Sequence, residues 1–249
     1  MTHRTSRFLT AEWRQLILLN YEVDPAILSP LIPAGTELDL WEGKALASIV
    51  GFLFLDTRVL GIPIPFHRNF EEVNLRFYVR RKTAEGWRRA VVFVKELVPR
   101  RAIAWAANAF YNENYQALPM GHRLTNESDQ HPTAVSYWWK TQGRKNHLKI
   151  EVEGALQPIA EGSHEEFITE HYWGYCRQRD GGTIEYEVEH PRWQTRPAKR
   201  FYLDCYVEAL YGPAFVPFLQ REPISAFLAE GSKITVFQGS RIALESSAP

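Results

Sequence analysis

Apolar and polar residues alternate with a period of two along much of this chain, which predicts strands. Leu148, Ile150 and Val152 alternate with Lys149, Glu151 and Glu153, and Ile184, Tyr186 and Val188 alternate with Glu185, Glu187 and Glu189. Such segments predict strands with one dry and one wet face, as in antiparallel sheets. Leu16–Val23 is a largely apolar run closed by Asp24-Pro25, where Pro25 opens a short helix that Pro30 and Pro33 stop. Leu38–Trp41 and Ala45–Leu55 flank Glu42-Gly43-Lys44 and predict one hairpin. Val73–Arg81 and Trp87–Val98 flank Glu85-Gly86 and predict a second. Three segments predict helices. Ala102–Tyr111 is rich in Ala and free of Gly and Pro, Ser163-His164-Glu165-Glu166 is a capping box, and Val207–Tyr211 precedes the stop Gly212-Pro213. There is no internal repeat, low-complexity tract or linker. The pattern predicts a single domain over residues 1–249, of α+β class with mostly antiparallel strands.

Charge changes this picture only locally. The 249 residues carry 29 Lys/Arg and 29 Asp/Glu, a formal net charge of zero, which argues against a dedicated nucleic-acid or anionic-membrane binder. Arg76–Arg101 nevertheless holds nine basic residues against Glu85 and Glu96, and Glu151–His190 holds ten acidic residues against Arg177 and Arg179. Either the two segments neutralise each other, or the first builds a cationic site. Only two cysteines occur, Cys176 and Cys205, too few for a disulfide framework and in keeping with a reducing compartment. The longest apolar run, Ala45–Leu55, is shorter than the ~20 residues a membrane helix needs, and Met1–Glu12 does not read as a signal peptide. A cytoplasmic protein is expected. The aromatic supply, 8 Trp, 11 Tyr and 14 Phe, would furnish a large core or a lined pocket.

Two short motifs could carry chemistry. In Glu96-Leu97-Val98-Pro99-Arg100-Arg101 a strand ends at a proline and two guanidinium groups follow. Arginine is a permanent cation with a planar donor fork suited to carboxylates, so Arg100 and Arg101 could hold an organic acid or an enolate-like charge, or could simply be solvated. In Phe70-Glu71-Glu72-Val73-Asn74-Leu75-Arg76, strand alternation puts Glu72, Asn74 and Arg76 on one face, as a polar pocket wall or as a surface ladder. Arg14, just before Leu16–Leu19, is a third candidate. No His-Glu-x-x-His, Cys-x-x-Cys, Gly-x-Ser-x-Gly or glycine-rich phosphate loop occurs, so neither metal nor cofactor is expected.

Trp13-Arg14, the Asp24-Pro25-Ala26-Ile27-Leu28 helix start, the Glu72-x-Asn74-x-Arg76 strand and Tyr172-Trp173-Gly174 together resemble the YqjF-like family of uncharacterised bacterial proteins. That family is similar to a branch of the acetoacetate decarboxylase-like superfamily. The resemblance implies a cone-shaped, mostly antiparallel β-barrel around a small-molecule pocket, often in an oligomer. In the decarboxylases an acid-leucine pair leads through a proline to two adjacent lysines, the first of which forms a Schiff base. Here Glu96-Leu97 and Pro99 match, but Arg100 and Arg101 stand for the lysines and the spacer is shorter. Arginine does not form imines. The superfamily's active-site arginine falls near Arg14 and its pocket glutamate near Glu72. Lys95, beside Glu96 on a strand, should project to the opposite side. The implied protein binds a small organic acid or carbonyl compound without a membrane or nucleic-acid partner. Glu72 and Arg100 would be its catalytic groups, and Arg14, Arg101, Asn74 and Arg76 would contact substrate. Its chemistry would be lyase-like without a Schiff-base lysine. The alternative is a non-catalytic binding or assembly protein on the same barrel.

Overall fold

A computed structural model describes residues 6–102, 114–125 and 132–243. The described strands are β1 (Arg7–Glu22), β2 (Glu37–Leu38), β3 (Leu46–Val59), β4 (Ile62–Pro63), β5 (Phe70–Thr83), β6 (Gly86–Val98), β7 (Tyr115–Ala117) and β8 (Met120–Thr125) in the first half. The second half contributes β9 (Ala134–Thr141), β10 (Arg144–Val152), β11 (Gln157–Pro158), β12 (Trp173–Arg177), β13 (Thr183–Glu189), β14 (Gln194–Asp204), β15 (Ser225–Phe237) and β16 (Ser240–Arg241). Among the described residues, the short α-helices α1 (Pro25–Leu28), α2 (His164–Thr169), α3 (Val207–Tyr211) and α4 (Val216–Leu219) fill connections between strands.

Hydrogen bonding runs β13-β12-β6-β5-β3-β1-β15, and β15 pairs back onto β13 through Val188–Val236 and Glu189–Thr235. Seven strands thus form a closed ring, which removes the edges an open sheet would expose. From β15 the sheet continues through β14, β10 and β9 to β8. All these pairings are antiparallel except β12 with β6.

Alternation gives each ring strand two faces, and both are covered. On β5, Phe70, Glu72, Asn74, Arg76 and Tyr78 share the face that packs on Leu16, Leu18, Phe52 and the Phe167 and Ile168 of α2. Val73, Leu75, Phe77 and Val79 share the other, against Ile17, Leu19, Tyr137, Trp139, Leu148 and Ile150. Burial on both sides explains why Leu16–Leu19 and Ala45–Leu55 read as continuous apolar runs rather than alternating ones. The extended sheet approaches closely over Gly51, where a Cβ would stand 2.7 Å from Tyr137 Cδ2 and 2.8 Å from Leu148 Cδ2.

The Val73–Arg81 and Trp87–Val98 hairpin, both alternating strands, the Ser163 cap and the Val207–Tyr211 helix are present, with Ser163 Oγ accepting from Glu166 N at 3.2 Å. The first hairpin is different. Its turn closes between Trp41 and Lys44, but β2 pairs with β5 while β3 is claimed by β1 and β5. The long apolar β3 buries more by entering the ring than by pairing with a four-residue strand. The helix expected over Ala102–Tyr111 falls almost wholly outside the described residues.

The wet face expected for β13 is also corrected. Glu185 is 7% exposed and accepts from Arg88 Nη1 at 2.5 Å, Arg81 Nη1 at 3.2 Å and the Tyr175 hydroxyl at 2.5 Å. The basic and acidic segments therefore meet at this buried carboxylate, whose two guanidinium partners offset its desolvation.

Candidate functional site

The Glu-x-Asn-x-Arg motif is a buried wall, since Glu72 is 2%, Asn74 2% and Arg76 9% exposed. Asn74 Nδ2 donates to Glu72 Oε1 at 2.9 Å, and the Tyr115 hydroxyl reaches Glu72 Oε2 at 3.4 Å. Glu96, also buried, is the cross-strand partner of Asn74. Arg76 Nη2 donates to the Ile168 carbonyl at 3.1 Å, and its Cζ lies 5.7 Å from the Tyr78 ring centre.

Arg14 does not join this wall. It pairs across β1 and β3 with Leu53, which in turn pairs with Glu71, whereas Phe52 pairs with Glu72. Cross-strand partners share a face, so Arg14 belongs with Glu71 and is separated from Glu72 by the thickness of the sheet. The expected grouping of Arg14 with Glu72 fails because adjacent residues on a strand point to opposite sides. At two strand spacings, Arg14 and Glu71 have backbones about 10 Å apart.

The backbone around Arg14 is bent from both sides. Gln15 has φ 56°, and the β1–β3 register shifts between Arg14 and Ile17. Gly231, the β15 partner of Arg14, has φ 76°, and a Cβ there would overlap the Trp13 carbonyl oxygen. The buried Tyr137 hydroxyl donates to the Gln15 carbonyl at 2.9 Å and fixes the bend. Bulges that re-aim a side chain recur beside functional sites. Here the re-aimed side chain is a half-buried guanidinium. Its Nε and Nη2 donate to Glu12 Oε2 at 2.9 and 2.8 Å, and its Nη1 donates to the Gly231 carbonyl at 3.3 Å.

On the same face His122 Nδ1 lies 2.6 Å from Glu71 Oε1. Burial raises the Glu71 pKa, but the His122 hydrogen bond, a backbone bond and the charges of His122 and Arg100 outweigh it, leaving the carboxyl below its ordinary range. Glu71 is thus an ionised acceptor, and His122 Nδ1 is the donor of the pair. Burial, and then the Glu71 charge, push the Tyr137 phenol well upward and keep it a donor. Lys95 pairs with Leu75 and so lies on this face, opposite Glu96, and burial lowers its basicity. Arg100 and Arg101 are exposed just after β6, with Arg100 within electrostatic reach of Glu71. None of the six predicted residues lines the open groove of about 390 Å³ between β14 and α4, bounded by Tyr21, Arg144, Tyr202, Cys205, Arg221 and Pro223.

A family profile described as an uncharacterized conserved protein, DUF2071, matches residues 10–233. The chain belongs to the DUF2071 family. It is similar to the uncharacterized protein YqjF of Bacillus subtilis (strain 168), 28% identical over 194 residues, which are 75% of this chain and 74% of YqjF. Among solved structures, acetoacetate decarboxylase from Legionella pneumophila superposes with a TM-score of 0.67 at 12% identity, covering 98% of this chain and 90% of that one. The enduracididine biosynthesis enzyme MppR complexed with pyruvate gives 0.66 at 11% identity, covering 97% and 93%. The fold of this DUF2071 chain is acetoacetate decarboxylase-like.

Sequence reasoning missed Glu71 and His122. Parity against Arg14 could have favoured Glu71, had the bend at Gln15 been foreseen. Nothing in Met120-Gly121-His122 signals that β8 delivers an imidazole to β5.

Proposed function

We propose that this DUF2071 protein binds a small organic acid or carbonyl compound on the Arg14–Glu71 face. Arg14 holds the anionic group and the Glu71–His122 pair moves a proton. The observation that carries this reading is the doubly bent backbone that aims a guanidinium along the face bearing an oriented acid–base pair. A carboxylate–imidazole pair is a common proton-transfer arrangement, and a fixed cation stabilises developing enolate charge. Arginines at 100 and 101 replace the superfamily's lysine pair, so the reading is lyase-like or isomerising chemistry with charge held by Arg14, and Lys95, which shares this face, is the amine that a borohydride adduct would mark. The complex of MppR with pyruvate supports the ligand class. A second reading is favoured by those same arginines: a barrel that kept its anion hold and performs no turnover.

Thermal-shift titration with pyruvate and other keto acids tests the proposal. A saturable rise is expected for the wild-type protein, about 2.7 kcal/mol at a hundredfold excess over Kd. Arg14→Ala should lose it, and borohydride with pyruvate should leave the protein mass unchanged. An undiminished rise in Arg14→Ala sinks the proposal. Turnover that disappears in Glu71→Gln and His122→Gln while binding persists selects the enzyme over the binding protein.

The opposite face carries a separate pH signature. Burial holds the His171 imidazole down at about 4, with the Arg89 and Arg76 charges adding to this and the Asp39 carboxylate opposing it. Between about 6.5 and 4 the unfolded imidazole takes a proton that the folded one refuses, so stability falls as pH falls through that window. The expected loss is on the order of 3 kcal/mol. Urea unfolding across pH should show this slope in the wild type and a flatter one in His171→Asn. Burial depresses His164 and His190 in the same sense, so a residual slope should survive. Identical slopes would remove His171 from the account.

A further inference from the structure

The open groove between β14 and α4 takes no part in the reading above. Its volume of about 390 Å³ lies at the small end of the ~300–1,000 Å³ usual for small-molecule sites, room for one ring system rather than a dinucleotide. Tyr21, Val207 and Leu219, all buried, form its floor. The Tyr21 hydroxyl bonds no described residue, yet it is not sealed from solvent, so its free partner position opens to the groove. Cys205, at the end of β14, lies beside it. The walls include Tyr202, 55% exposed, and Phe201, 36% exposed, whose rings are offered to a guest. The rim is cationic. Arg144 is neutralised by Asp204, but Arg221 forms no ion pair among the described residues and holds its Cζ 5.6 Å from the Phe218 ring centre.

We propose that this groove binds a hydroxylated aromatic carboxylate, its ring against Tyr202 and Phe201, its carboxylate at Arg221 and its hydroxyl at Tyr21. A guanidinium fork matches a carboxylate, and aromatic rings pack on one another with specific geometry. Arg221 is a single uncommitted cation, which favours a monoanion over a doubly charged phosphate. The floor sets the orientation. Burial, and then the Cys205 charge, push the Tyr21 phenol upward, and burial pushes the Cys205 thiol up to about 12. Both stay neutral, so an anion buried there would find no counter-charge, whereas a hydroxyl would find a hydrogen-bond partner. The site is independent of the Arg14 reading, because neither Arg14, Glu71 nor His122 lines it.

Calorimetric titration with 4-hydroxybenzoate is the test. Saturable binding is expected in the wild type and in Arg14→Ala, unchanged by saturating pyruvate. Benzoate, which lacks the hydroxyl, should bind the wild type about fivefold more weakly, the net worth of one hydrogen bond. Tyr21→Phe should erase that difference while binding benzoate as the wild type does. It deletes a hydroxyl that bonds no described residue, so the fold should persist. Arg221→Ala, an exposed position, should weaken both acids about tenfold or more. No saturable heat in the wild type, equal binding by Arg221→Ala, or a hydroxyl preference that survives in Tyr21→Phe would each overturn the proposal. Binding lost in Arg14→Ala, or displaced by pyruvate, would assign the acid to the other site and overturn it as well. The wild-type comparison of the two acids decides even if Tyr21→Phe does not fold, since equal affinities would leave Tyr21 without its role.

Discussion

Gly231→Ala should destabilise the protein by about 3 kcal/mol or more and disturb Arg14 with it. Gly231 combines φ 76° with a position where any Cβ meets the Trp13 carbonyl oxygen. A side chain there must open the β1–β15 pair or shift Trp13, which packs edge-on against Phe52, Phe54 and Trp193 at 5.4, 5.8 and 6.4 Å. Arg14 Nη1 bonds the Gly231 carbonyl, so either adjustment moves the guanidinium. Urea unfolding followed by tryptophan fluorescence measures the first effect, and pyruvate thermal shift the second. A loss below about 1 kcal/mol would show that the bend is not constrained as described. Preserved pyruvate binding would detach it from the site.

Glu185→Ala should cost about 3 kcal/mol, because it leaves Arg81 and Arg88 facing each other without their shared carboxylate. Their side chains are 22% and 24% exposed against 7% for Glu185, so water recovers part of the loss and the estimate sits at the low end of the buried-pair range. The Tyr175 hydroxyl loses its acceptor as well. The penalty should shrink in high salt, since screening relieves the repulsion of two partly wet cations. Denaturant unfolding at low and high ionic strength reads both effects. A salt-independent penalty would mean that packing, not charge, accounts for Glu185.

The same residue marks the limit of reading the chain by pattern. Period two correctly identified β10 and β13 as strands, yet Glu185 is buried, because hydropathy says which face is charged and not what stands opposite. Only the parallel pairing of β12 with β6 brings Trp173 beside Ala90, and with it the acidic hairpin beside Arg81 and Arg88. The β3 strand was legible as apolar and its turn was legible too, but its partners were not. A continuous apolar run fits any neighbour that buries both of its faces.

By itself the sequence determined the antiparallel α+β class, most strand and cap positions, and the face shared by Glu72, Asn74 and Arg76, because these follow from local geometry with a fixed period. It also determined that guanidinium groups occupy the positions after Pro99. Tertiary structure alone decided that Arg14 sides with Glu71, that His122 arrives from β8, and that Tyr21 and Cys205 line one groove. Each of those depends on a bend or a pairing between residues distant in the chain. The contacts that enforce them, such as Tyr137 on the Gln15 carbonyl across 122 positions, leave no periodic trace in the sequence.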